Sequence, residues 1–167
     1  MVNLHKKILI IGDAGRGKST LSSRLSEKLK IPHCSTDDYF YEVKFTKKRD
    51  RQEAYDLILK FFNGDKWIVE GTTRYLLKPG MEMADTIIYL RHKSLFCQAI
   101  VLFKRWWNGK DDTLFNIFGI VKHSFAKKYR LGDQRGKKTY AEMIEPYKDK
   151  AVVLSSFSEI DEFVERL

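Results

Sequence analysis

The sequence predicts an α/β fold built on a parallel sheet. Short apolar runs recur along the chain, amphipathic helical stripes separate them, and a glycine-rich turn joins the first run to the first stripe. Ile8-Leu9-Ile10-Ile11, led in by Lys7, is apolar without alternation, as a strand buried on both faces requires. Leu21, Leu25 and Leu29 then share one helical face. Further strands are expected at Ile31-Pro32-His33-Cys34-Ser35, Trp67-Ile68-Val69-Glu70, Thr86-Ile87-Ile88-Tyr89-Leu90 and Ala151-Val152-Val153-Leu154. Asp50 stands three residues before Glu53, the spacing of an N-terminal capping box, and Ala54, Leu57, Ile58, Phe61 and Phe62 form the stripe behind it. Ser94 is placed to cap a helix carrying Phe96, Ile100, Val101 and Phe103, and Leu114, Phe115, Phe118, Val121 and Phe125 mark another. Ser156 and Glu159 form a second capping box ahead of Ile160, Phe163, Val164 and Leu167.

The 167 residues are expected to form one domain, 1–167, large enough to bury a substantial core. No apolar run approaches the roughly 20 residues of a membrane span, so no membrane partner is expected. The N-terminus runs directly into the first strand and does not read as a signal peptide. Cys34 and Cys97 have no metal-ligand spacing and read as buried free thiols, which makes a reducing cytoplasm the default location. His5, His33, His92 and His123 make neither a triad nor a metal spacing. Of 31 Lys/Arg and 22 Asp/Glu, 12 and 3 fall between Arg91 and Lys138, so the rest of the chain is neutral and this stretch carries the whole net charge of +9. A stretch of that kind suits a polyphosphate or a nucleic acid, or is a solvated basic face.

Gly12-Asp13-Ala14-Gly15-Arg16-Gly17-Lys18-Ser19 fits the phosphate-binding pattern G-x-x-x-x-G-K-[ST], with Thr20 adjoining it. Its setting between strand and helix is the one the motif requires. The glycines allow the tight turn that aims consecutive N–H groups at an anion. Lys18 is placed to reach the β- and γ-phosphates of ATP, and Ser19 to put a hydroxyl on Mg²⁺. Ligands of parallel sheets gather beyond the carboxyl ends of the strands. Asp37 and Asp38, Glu70 and Arg91 are therefore expected at the same edge as this loop.

Glu70-Gly71-Thr72-Thr73-Arg74 follows its strand directly, and here the chain resembles the adenylate kinase-like P-loop kinases. The segment from Thr36-Asp37 through Tyr39, Phe40 and Tyr41, then Trp67-Ile68-Val69-Glu70-Gly71, Ala84 to Leu90 and Lys104-Arg105, is most similar to the bacterial topology-modulation branch of that class. The resemblance implies a three-layer α/β/α P-loop NTPase fold, a five-stranded parallel sheet of order 2-3-1-4-5 and a helical lid around 105–130. It implies that Glu70 organises water on Mg²⁺, that Arg74 grips an acidic group of the acceptor, and that Arg105 closes from the lid. Lys110, Lys127, Lys128 and Arg130 are weaker lid candidates. Two departures stand out: Glu70 replaces the usual aspartate, and Arg91-His92-Lys93 stands where relatives tend to have an acid and a proline.

Chemically, Asp37 suits a general base on an acceptor hydroxyl or a group that helps to hold Mg²⁺. Tyr39, Phe40 and Tyr41 suit stacking on a base or sugar, or simple packing. Trp106 and Trp107 read as lid packing or base stacking. Lys44, Lys47, Lys48, Arg49 and Arg51 are expected to shape the acceptor pocket. The reading that follows is a phosphotransferase of the nucleoside/nucleotide kinase type, moving the γ-phosphoryl of Mg·ATP to an unidentified small acceptor. Its catalytic residues would be Lys18, Asp37 and Arg105, with Gly12 to Thr20 on the nucleotide, Asp37 and Arg74 on the acceptor, and Ser19 and Glu70 on the metal. The alternative is a nucleotide-regulated nucleic-acid-binding protein, resting on the basic stretch and the paired tryptophans.

Overall fold

The computed structural model describes residues 6–43, 46–91 and 138–167. The expected helices after Ser94 and Leu114, the lid and Arg105, the weaker lid candidates Lys110, Lys127, Lys128 and Arg130, Trp106, Trp107, His5, His92, His123, Cys97 and Lys44 lie outside these residues.

Five strands make the central sheet: β1 (Lys7–Gly12), β2 (His33–Ser35), β5 (Trp67–Gly71), β6 (Thr86–Leu90) and β7 (Ala151–Leu154). Every pairing among them is parallel, and their order is β2-β5-β1-β6-β7. Counting only these five strands along the chain, that is the expected 2-3-1-4-5. The two faces of β1 show why three layers form. Ile8 and Ile10 pack with Leu21 and Leu25 of α1 (Lys18–Leu29) and with Ile160, Phe163 and Val164 of α6 (Phe157–Glu165). Leu9 and Ile11 point the other way, into Ala54, Ile58 and Phe62 of α3 (Arg51–Phe62) and Leu76, Leu77 and Met81 of α4 (Arg74–Met83). All four β1 isoleucine and leucine side chains are fully buried. At about 25 cal/mol per Å² of apolar surface removed from water, such residues contribute about 1.5–3 kcal/mol each before the entropy of ordering them is counted.

The capping patterns hold with altered partners. Asp50 Oδ1 accepts from the N–H groups of Gln52 and Glu53 at 2.9 and 3.1 Å, while the Glu53 carboxylate turns away to Arg49 Nη1 at 2.8 Å. Ser156 Oγ accepts from Glu159 N–H at 3.1 Å, and Glu159 reaches one residue further back, to the N–H of Ser155, at 2.7 Å. Trp67 closes the C-terminal end of α3, its indole N–H donating to the Phe62 carbonyl at 2.9 Å.

Several further elements were not expected from the sequence. Helix α4 contains Pro79 and Gly80, residues that usually end a helix, yet its Leu76, Leu77 and Met81 are buried. Helix α5 (Tyr140–Ile144) is short. The aromatic segment after β2 forms a one-turn helix, α2 (Thr36–Phe40), then a small antiparallel hairpin of β3 (Tyr41–Val43) and β4 (Lys47–Lys48). Arg49 fastens the hairpin base, its Nε donating to the Tyr39 carbonyl at 3.1 Å and Nη2 to the Tyr41 carbonyl at 3.4 Å.

Helix α2 stands against the end of β5 because Gly71 has no side chain. A Cβ there would lie 1.8 Å from Thr36 Oγ1 and 2.7 Å from Thr36 Cβ, and Thr36 is fully buried. Gly71→Ala is expected to displace α2 and cost about 1–3 kcal/mol, the range for overpacking a filled core. Urea unfolding should show this as a lower midpoint at unchanged slope; an unaltered midpoint would show that α2 is free to move.

Candidate functional site

The site is assembled at the carboxyl edge of the sheet. The loop between β1 and α1 turns out of Gly12, whose φ is 151°. A Cβ there would stand 2.4 Å from the carbonyl oxygen of Leu90, the residue paired with Gly12 on β6. Only glycine lets the backbone leave the sheet by this route. Gly17, at φ 78°, caps α1, so the first N–H groups of the helix face the concavity of the loop. Lys18 folds back over it, its Nζ donating to the Asp13 carbonyl at 3.0 Å with 8% of the residue exposed. This is a built anion cradle with one ammonium across its mouth, and it suits a polyphosphate.

Glu70 stands one residue before the end of the neighbouring strand β5, in register with Ile10 of β1 and Ser35 of β2. It is 5% exposed and accepts a hydrogen bond from Ser19 Oγ at 2.8 Å. The extra methylene of glutamate therefore still reaches the hydroxyl expected at the metal. These two oxygens are the pair that suits a hard divalent cation beside phosphates.

The second-strand acids separate by role. Ser35 Oγ accepts from Asp37 N–H at 3.3 Å, and Asp38 Oδ2 accepts from Ser35 N–H at 3.1 Å, so Asp38 completes the capping box of α2. Asp37 lies in the first turn of that helix, half-buried. Arg74 is the first residue of α4, directly beyond the β5 loop. Its guanidinium lies over the ring of Tyr140, 5.6 Å from the centroid. The Tyr140 phenol is raised above the usual tyrosine range, by burial first and then by the negative charge of Asp13; the charges of Arg74 and Asp37 also act on it. Arg74 thus lies against a buried ring that also feels the charges of Asp13 and Asp37.

Arg91 is exposed, and its N–H continues the β7 pairing to the Leu154 carbonyl at 2.9 Å. Thr20 is exposed on α1. Arg16, fourth of the variable loop positions, is 4% exposed and lies over Phe157, 5.6 Å from its centroid. The cations after β2 divide: Arg49 is committed to the hairpin, Lys48 lies over Phe40 at 5.6 Å, and Arg51, which opens α3, over Tyr75 at 4.7 Å.

No family model matches the chain. Known proteins do. An uncharacterized protein of Bacillus subtilis, YqaC, is 42% identical over 69 residues, covering 41% of this chain and 39% of YqaC. An adenylate kinase of Encephalitozoon cuniculi is 27% identical over 129 residues, covering 65% of this chain and 70% of that enzyme. Over part of its length the chain is thus similar to adenylate kinases. The solved shikimate kinase of Bacteroides thetaiotaomicron superposes with a TM-score of 0.53 over 95% of this chain and 94% of that one, at 16% identity, which bears on the fold.

The sequence pattern overlooks Tyr140, whose ring lies under the Arg74 guanidinium. The signal was present: Thr139 and Glu142 have capping-box spacing, and both of its hydrogen bonds form, which fixes the start of α5. Among the described residues no helix is long and apolar enough to cross a membrane.

Two groups beside the site are expected to weaken the fold at alkaline pH. Burial pushes the Cys34 thiol from 9.0 up to about 12, against the lowering effect of its hydrogen bond with Tyr39, and burial also raises Tyr39. Above pH 9.0 the unfolded chain has released the thiol proton while the folded chain keeps it. This contribution to stability is therefore full below that pH and lost as the pH rises toward 12. The urea midpoint should fall between about pH 8 and about pH 10.5, and fall less in Cys34→Ala. Equal losses in both proteins would remove Cys34 from the cause.

Proposed function

We propose that the chain is an ATP-dependent phosphotransferase of the nucleoside/nucleotide kinase type. The supporting observation is the 2.8 Å bond from Ser19 to Glu70 at the mouth of the glycine loop, with Lys18 beside it and Arg74 at the far side of the same β5 turn. A simple anion site needs the loop and the lysine. It does not need a buried carboxylate against the loop's hydroxyl, since a carboxylate repels phosphate unless a cation stands between them.

The backbone N–H groups from Asp13 to Thr20 would hold the donor phosphates, and Lys18 would leave Asp13 for the β- and γ-oxygens. Ser19 and Glu70 would hold Mg²⁺. When bound, that ion supplies neutralisation of the developing phosphate charge. Among the described residues no three His, Cys, Asp or Glu side chains gather into a metal cluster. That accords with Mg²⁺, which binds through one or two protein groups plus substrate phosphates and water. Arg74 would fix an anionic group of the acceptor with its guanidinium fork. Asp37 would take the proton of an acceptor hydroxyl as its oxygen bonds to the γ-phosphorus and the β–γ bridging bond breaks, releasing ADP. Arg105 would complete the charge balance from the lid.

Incubating the protein with Mg·ATP and a panel of nucleosides, nucleoside monophosphates and small acids including shikimate should yield one phosphorylated product by phosphorus NMR. Its formation should fall by about 10²-fold or more in Lys18→Ala, the scale for losing one preorganised charge-stabilising donor. ATP loss to water alone across the panel would count against a kinase. Arg74→Lys should raise the acceptor KM about tenfold and leave the KM for ATP within about twofold, because lysine cannot reproduce the fork. Equal effects on both would place Arg74 outside the acceptor half.

A further inference from the structure

Tyr140 opens α5, three residues into the last described segment. Its phenol crosses to the loop between β5 and α4 and donates to the Thr72 carbonyl at 2.7 Å. Its ring lies beneath the Arg74 guanidinium at 5.6 Å from the centroid, within the distance at which an aromatic face attracts a cation. Tyr89, near the end of β6, packs against the ring at 6.1 Å, tilted by 55°. With 2% of the residue exposed, the ring cannot swing aside without opening the core. The capping box of Thr139 and Glu142 fixes the direction from which it enters.

We propose that Tyr140 is a positioning residue for the acceptor side, acting through Arg74: its hydroxyl sets the loop that carries Arg74, and its ring sets the plane of the guanidinium. This rests on the reading of Arg74 given under the proposed function. The two handles are chemically separable. The hydroxyl fixes where α4 begins, through Thr72. The ring supplies a face that leaves the guanidinium edge, with its donors, turned toward an incoming anion. Burial keeps the phenol protonated, so the Thr72 carbonyl retains its donor across the working pH range. The hydrogen bond to Thr72 and the ring contact with Arg74 both lie beyond Glu70 on the acceptor side, so the donor half should respond less to either change.

The test uses the full chain saturated with Mg·AMP-PNP, which occupies the glycine loop, and titrates it with inorganic phosphate as a probe of the acceptor side. The readout is the Arg74 Nε–Hε signal in a nitrogen-15 NMR spectrum, assigned by its loss in Arg74→Lys. In the parent, the ring current of Tyr140 displaces this signal and phosphate moves it. Tyr140→Leu should abolish the displacement and weaken phosphate about threefold or more, the scale of one cation–aromatic contact. Its affinity for AMP-PNP should stay within about twofold. Tyr140→Phe should keep the displacement and the phosphate affinity, while amide exchange at Thr73 and Arg74 quickens about fivefold for the lost hydrogen bond. An Arg74 signal and phosphate affinity in Tyr140→Leu equal to the parent's overturn the proposal alone. Parent protein in which phosphate leaves the Arg74 signal unmoved overturns both the acceptor reading of Arg74 and this proposal. Should Tyr140→Leu fail to fold, Tyr140→Phe decides, and unchanged exchange at Thr73 and Arg74 in it overturns the proposal.

Discussion

The hydrogen bond from Ser19 Oγ to Glu70 Oε1 is the contact on which the rest of the site depends. It joins the first turn of α1 to the last buried polar side chain of β5, and so ties the glycine loop to the neighbouring strand. The bond is possible because β1 and β5 run parallel and in register, with Ile10 opposite Glu70 and Ile11 opposite Gly71. A shift of one residue would turn Glu70 into one of the apolar layers, since successive strand residues face opposite sides. The core clusters that separate Ile8 and Ile10 from Leu9 and Ile11 therefore do more than stabilise the sheet. They hold a carboxylate at 5% exposure where a buried charge would otherwise be costly.

From Glu70 the proposed acceptor side follows along a few residues. Gly71 admits Thr36 at its bare Cα and so sets α2, which carries Asp37 in its first turn. Thr72 is held by the Tyr140 hydroxyl, and Arg74 begins α4 over the Tyr140 ring. In the proposed reading, donor and acceptor halves would be built from the two ends of one short stretch, Glu70 to Arg74. A phosphoryl-transfer site gains from this economy, because its catalysis is mostly the positioning of charge.

Much of this was legible in the sequence. Gly12 to Ser19 names its own geometry, and the uninterrupted apolar runs of β1, β5 and β6 name a parallel sheet, from which the edge holding Glu70 and Asp37 follows. Other parts were hidden for identifiable reasons. Helix α4 is disguised by Pro79 and Gly80, tolerated because its leucines are buried on the sheet. The division of labour between Asp37 and Asp38 depends on a one-turn helix too short to have a periodicity. The role of Tyr140 depends on a contact between residues 68 apart in the chain, which no local pattern carries. The lysines and arginines after β2 looked alike in sequence, yet Arg49 is bound into the hairpin while Arg51 stacks on Tyr75.

If Ser19 and Glu70 act together on a metal, their effects cannot be independent. The Mg²⁺-dependent gain in AMP-PNP affinity, measured by calorimetry in the parent, Ser19→Ala, Glu70→Gln and the double variant, examines that directly. Shared action requires that each single variant lose most of the gain and that the double variant lose little more, with a coupling of about 0.5–3 kcal/mol. Four proteins with the same Mg²⁺-dependent gain, or losses that simply add, would contradict it.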